Sequence, residues 1–142
     1  MEINIFTDGG SRGNPGACAI GVFITDDRGN ELFKLGKKIG FGTNNFAEYN
    51  AIIEGFNWTL ANTKNLKNLK KINFYMDSLL AASQLNGLYK VKNAKIRELV
   101  FKIREMESHL KVPISYSHVR REKNKIADSL VNLALDNKLK LT

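Results

Sequence analysis

Four acidic residues stand in contexts that could bring them to one point. Asp8 closes an apolar run and opens the glycine-rich stretch Asp8-Gly9-Gly10-Ser11-Arg12-Gly13-Asn14-Pro15-Gly16. Glu48 follows Thr43-Asn44-Asn45-Phe46-Ala47, Asp77 follows Phe74-Tyr75-Met76, and Asp128 follows Asn124-Lys125-Ile126-Ala127. Each acid has an ordinary alternative role. Asp8 could be a turn residue, Glu48 part of a capping box with Asn45, Asp77 an N-cap, and Asp128 a solvated acid near a helix N-terminus. Taken together the alternatives weaken, because carboxylates gathered at one place need cations. Oxygen-only ligation suits hard Mg²⁺ or Mn²⁺ rather than zinc. The chain has one cysteine and two histidines, so no zinc-type spacing competes.

The elements that must position these acids are read from periodicity. Residues 2–8, 17–24, 31–40, 71–77 and 112–119 have strand character, and Asp26-Asp27-Arg28-Gly29-Asn30 predicts a hairpin turn. Helices are predicted over 44–61, 78–85, 94–110 and 124–135; Ala51, Ile52, Gly55, Phe56 and Thr59 form the apolar stripe of the first. The order β-β-β-α-β-α-α-β-α predicts an α/β fold. Its sheet is mixed and five-stranded, antiparallel through the first three strands and flanked by helices. Asp8 and Asp77 then fall at the carboxyl ends of parallel strands, where ligands of such sheets bind. Glu48, at the head of the stripe Ile52, Gly55 and Phe56, faces the sheet, where an unpaired carboxylate is costly.

The bulk properties agree. A chain of 142 residues is expected to form a single domain over 1–142, able to bury about two thirds of its surface without staples. Its end, Lys138–Thr142, is expected to be loosely held. One cysteine, Cys18, excludes an internal disulfide and fits a reducing compartment. No apolar run approaches the ~20 residues of a membrane span and no signal peptide is visible, so a cytoplasmic protein with no membrane partner is expected. Lys and Arg number 22 against 14 Asp and Glu, a net +8, which favours a polyanionic partner. Two divalent ions held by the acids would add four further positive charges.

The four motifs, in this order and spacing, resemble ribonuclease H of type 1 over residues 1–136. They read Thr7–Gly16, Thr43-Asn44-Asn45-Phe46-Ala47-Glu48-Tyr49, Tyr75-Met76-Asp77-Ser78 and Arg121-Glu122-Lys123-Asn124-Lys125-Ile126-Ala127-Asp128. The chain looks similar to the compact bacterial and archaeal members. Leu85-Asn86-Gly87-Leu88-Tyr89-Lys90-Val91-Lys92-Asn93 leads straight into the next helix, leaving no room for the basic handle of longer relatives. The resemblance implies a ribonuclease H-like catalytic domain that hydrolyses the RNA strand of RNA–DNA hybrids by a two-metal-ion mechanism. Products would carry 5′-phosphate and 3′-hydroxyl ends. It implies Mg²⁺, with Mn²⁺ as substitute, on Asp8, Glu48, Asp77 and Asp128. It also implies substrate contacts from Gly9, Gly10 and Ser11 to 2′-hydroxyls, from Asn14, Asn44 and Asn45 to the minor groove, and from Thr43 to a DNA-strand phosphate. His118 and Arg121 occupy the places of auxiliary catalytic residues, although His118 also reads as a strand-end histidine. Neither the motifs nor the composition points to an obligate protein partner, and a monomer is expected. The alternatives are a non-catalytic module binding hybrid or double-stranded RNA, and a nuclease of the same fold acting on DNA.

Overall fold

The computed structural model describes residues 1–139. Five strands, β1 (Glu2–Arg12), β2 (Gly16–Asp26), β3 (Glu31–Gly42), β4 (Lys71–Met76) and β5 (Ile114–His118), form one sheet in the order β3-β2-β1-β4-β5. The first three pair antiparallel, while β4 runs parallel to both β1 and β5. The helices are α1 (Asn44–Ala61), α2 (Leu79–Leu85), α3 (Ala94–Ser108) and α4 (Lys125–Leu135). Order and sheet topology follow the sequence expectation.

The core lies between one sheet face and α1. Ile3, Ile5, Val22, Ile24, Ile72 and Phe74 meet Tyr49, Ile52 and Phe56, all excluded from water. Burying each such side chain is worth about 1.5–3 kcal/mol. On the other face α4 seats Val131 and Ala134 on Ala19. Glycine permits this approach: a Cβ at Gly21 would fall 2.1 Å from the Ala127 carbonyl oxygen. On the core side a Cβ at Gly9 would fall 2.2 Å from the backbone of Ala47, so α1 presses directly onto β1 one residue before Glu48.

One expectation is corrected. β1 does not end at Asp8 but continues through Gly9, Gly10 and Ser11 to Arg12, because β2 goes on pairing with it, Gly9 opposite Ile20 and Arg12 opposite Ala17. What ends near Asp8 is the other neighbour: β4 pairs only as far as Thr7 opposite Met76. Leu139 packs beside Val131 and Ala134, and the Lys138 N–H donates to the Leu133 carbonyl at 2.8 Å. The rest of the expected loose tail, residues 140–142, lies outside the described residues. α1 is capped by Thr43, whose Oγ1 accepts from the Phe46 N–H at 3.1 Å, in place of the alternative capping box of Asn45 and Glu48.

Candidate active site

Asp8 sits where β1 loses its neighbour β4, and Asp77 is the first residue after β4. Both therefore face the opening between two parallel strands. Asp77 does not cap α2. Ser78 does, its Oγ accepting from the Ala81 N–H at 3.1 Å, so the Asp77 carboxylate is not used as a cap. Glu48 reaches the same point from α1, drawn in by the close packing at Gly9. One carboxylate oxygen from each of Asp8, Glu48 and Asp77 lies within 4.8 Å of the others.

The electrostatics of this cluster are strained without a cation. Burial, then the charges of Asp77 and Asp128, push the Asp8 carboxyl from 3.8 up to about 8. Glu48 is held well above the usual carboxylate range, by burial first and then by the Asp8 charge. Glu48 Oε2 is buried and has no hydrogen-bond partner among the described residues. Buried acids with an orphaned oxygen make a donor set that fits a divalent cation, whose charge would reverse these shifts.

Asp128 stands in the first turn of α4 on the wall of the same cleft but outside the three-acid cluster. Its Oδ1 accepts from the Arg121 guanidinium at 3.2 Å. Arg121 is largely exposed, and so is His118, the last residue of β5, paired beside Met76. Both line the cleft, which has a volume of about 680 Å³.

Gly9, Gly10, Ser11, Asn44 and Asn45 also line this cleft. Asn44 organises this stretch of wall. Its Oδ1 accepts from the Ser11 N–H at 2.9 Å and from the Ser11 hydroxyl at 3.1 Å, and its own N–H donates to Asn14 Oδ1 at 3.0 Å. Asn14 thus supports the wall from outside the cleft. Thr43 lies in a neighbouring depression beside Phe41 and Lys95.

Two residues to which the sequence reading gave no individual role also act here. Asn124 is buried, and its Nδ2 donates to the Thr7 carbonyl at 2.8 Å, tying the start of α4 to the residue before Asp8. Its position four residues before Asp128 was the available signal. Arg12 lines the cleft and pairs with Asp136 at 2.7 Å; nothing in the sequence marked this pairing.

A mixed five-stranded sheet with acids at the ends of adjoining strands defines a class, and comparison with known proteins agrees. The family model described as "Reverse transcriptase-like" matches residues 6–134. The structure superposes on the RNase H1 LC11, isolated from compost by a metagenomic approach, with a TM-score of 0.90. Identity is 41%, over 98% of this chain and 99% of that one. The same enzyme solved in complex with an RNA/DNA hybrid gives 0.89 at 40% identity, over 97% and 99% of the two chains. The chain belongs to the ribonuclease H1 family. Ribonuclease HI of Halobacterium salinarum is 33% identical over 136 residues, covering 96% of this chain and 65% of that protein. A bifunctional protein of Mycobacterium tuberculosis is 34% identical over 137 residues, and the chain spans only 36% of its length.

Proposed function

We propose that this chain is a metal-dependent endonuclease that cuts the RNA strand of RNA–DNA hybrids, leaving 5′-phosphate and 3′-hydroxyl ends. One observation carries the reading: three carboxylates, those of Asp8 and Glu48 with raised proton affinity, converge beside a wall of backbone and asparagine groups. Support comes from the 40%-identical RNase H1 solved with an RNA/DNA hybrid.

Asp8, Glu48 and Asp77 are assigned to hold divalent ions, with Asp128 as a further ligand once its pairing to Arg121 is broken. Mg²⁺ is the proposed ion and Mn²⁺ its substitute, since both favour carboxylate oxygen. Bound there, divalent ions supply Lewis-acid charge for the phosphoryl oxygens and lower the pKa of a bound water. The chain's own contribution is positioning and charge. β1 and β4 fix the directions of Asp8 and Asp77, and the Gly9–Ala47 contact fixes Glu48. The backbone around Gly9, Gly10 and Ser11 approaches a ribose closely enough to read its 2′-hydroxyl, which separates RNA from DNA. Asn44 and Asn45 are assigned to the minor groove, Asn14 to hold Asn44, and Thr43 to a phosphate of the DNA strand. Arg121, released from Asp128, offers a guanidinium to phosphate. His118, exposed at the cleft edge, is placed to exchange protons with solvent. Residues 1–142 are proposed to act as one catalytic unit, as a monomer, in the cytoplasm; the single free Cys18 suits a reducing compartment.

The test uses four matched labelled duplexes: RNA–DNA, RNA–RNA, DNA–DNA, and DNA with one embedded ribonucleotide. Each is incubated with Mg²⁺, Mn²⁺ or chelator. Metal-dependent cutting confined to the RNA of the hybrid is expected. Tight binding without cutting under either metal would instead make the chain a binding module, and cutting of DNA–DNA would reassign the substrate.

A further inference from the structure

The sheet face that carries α4 is only partly covered. α4 lies over Gly10, Gly21 and Gly36. The adjoining row stays open: Lys34 pairs with Phe23, Phe23 with Phe6, Phe6 with Tyr75 and Tyr75 with Ser117, one residue from each of the five strands in register. Strand periodicity puts Phe6 on the face of Asp8, and Tyr75 on that of Asp77, two residues away in each case. The Phe6 and Tyr75 rings stack with centroids 5.0 Å apart, Phe23 lies 6.2 Å from Phe6, and Lys34 Nζ sits 5.9 Å from the Phe23 centroid. All three rings are half-buried rather than sealed.

The row beyond is polar and satisfied within itself. Asn73 Nδ2 donates to Asn4 Oδ1 at 3.2 Å, and the Ser115 hydroxyl donates to Asn73 Oδ1 at 3.0 Å. The aromatic row is therefore one residue wide. A cavity of about 330 Å³ opens between Phe6, Phe23 and the segment 122–127, with Lys123 and Lys125 in its wall. The other side of that segment's approach, Arg121, faces the catalytic cleft.

We propose that this stripe binds single-stranded nucleic acid, as a platform for the unpaired stretch of a strand whose hybrid portion occupies the cleft. The assignment deepens the hybrid-nuclease reading and rests on it. Three observations select the occupant. A stripe one residue wide is far too small for a stable protein partner, which needs about 800 Å² per side. Strands lie about 4.8 Å apart, so three rings span roughly 10 Å, the scale on which sheet aromatics receive two or three bases. The rim cations Lys34, Lys123 and Lys125 match a phosphate backbone, and the loop holding Lys123 connects the platform with the cleft. Glu122, also at the cavity, disfavours tight binding of free anions, so the affinity is modest.

The experiment measures fluorescence anisotropy of labelled rU12, of dT12, of a blunt hybrid, and of the same hybrid with an eight-nucleotide RNA tail, all in chelator. The wild type is compared with Phe23→Ala, Tyr75→Ala and Lys123→Ala. The tailed hybrid should bind more tightly than the blunt one to the wild type, and each variant should erase most of that gain. Single-strand affinity should fall about tenfold per ring removed. Blunt-hybrid affinity, and blunt-hybrid cleavage measured separately with Mg²⁺, should change less than twofold. Lys123 is exposed, so Lys123→Ala tests the platform without disturbing the sheet. Equal binding of tailed and blunt hybrids, or single-strand binding indifferent to all three substitutions, would overturn the proposal. So would concentration-dependent dimerisation abolished by the same changes. Single-strand binding without hybrid cleavage would instead remove the nuclease reading and leave the platform standing.

Discussion

Asp8 carries the conflict that defines the site. Its carboxyl ordinarily titrates at 3.8 and is pushed up to about 8 by burial and by the charges of Asp77 and Asp128. A carboxyl whose folded pKa exceeds its unfolded value binds more protons when folded. Its contribution to stability is complete below about pH 4 and is lost as pH rises through 8. The metal-free protein should therefore lose thermal stability between pH 4 and 8, and Mg²⁺ should restore it at the upper end. In chelator at pH 8, Asp8→Asn should be more stable than the wild type, by at most about 5 kcal/mol for a shift of this size. Thermal melts in chelator across this range check both; a flat profile with no gain in Asp8→Asn would show that the acids are not in conflict. At this scale the sequence was informative about residue types and less so about partners. Thr43 rather than Asn45 heads α1, and Ser78 rather than Asp77 heads α2. Adjacent polar residues compete for a cap, and backbone geometry decides the winner. The pairing of Asp128 with Arg121 depends on the turn Arg121–Lys123 folding back on α4.

At the scale of elements, close approach brings the acids together. Gly9 admits α1 onto β1, and Gly21 admits α4 onto β2. Gly9→Ala would drive a methyl into the Ala47 backbone. It should cost at least about 2 kcal/mol and displace Glu48, so that Mn²⁺ affinity falls along with Tm. Calorimetric titration of Mn²⁺ into this variant checks the coupling, and a fully retained affinity would mean that the helix is not what sets Glu48. The alternation of Ile72, Phe74 and Met76 and the stripe on α1 made β4 and α1 legible from sequence. The far half of β1 was not. Asp8-Gly9-Gly10-Ser11 has the composition of a turn, yet pairing with β2 holds it extended through Arg12. The open aromatic row was hidden for a related reason: it exists only across five strands, through registers that no local pattern reports.

At the scale of the whole molecule, a chain of net charge +8 carries a cleft lined by Asp8, Glu48, Asp77 and Asp128. Binding of an uncleaved hybrid should weaken steeply with salt, the log–log slope approaching −0.9 per phosphate neutralised. An affinity unchanged between about 50 and 200 mM salt would remove the electrostatic account. Chelation should abolish cleavage while the far-UV spectrum and cooperative melting persist, because the apolar core between the sheet and α1 does not depend on the acids.

The central claim is that Asp8, at the junction of β1 and β4, holds the ions that make hybrid cleavage possible. Its most direct test is single-turnover cleavage of an RNA–DNA hybrid by Asp8→Asn and wild type at saturating Mg²⁺, with hybrid affinity measured alongside in chelator. A rate lower by at least ~10³ is expected for Asp8→Asn, with hybrid binding within a fewfold of wild type. Cleavage at a comparable rate by Asp8→Asn would contradict it.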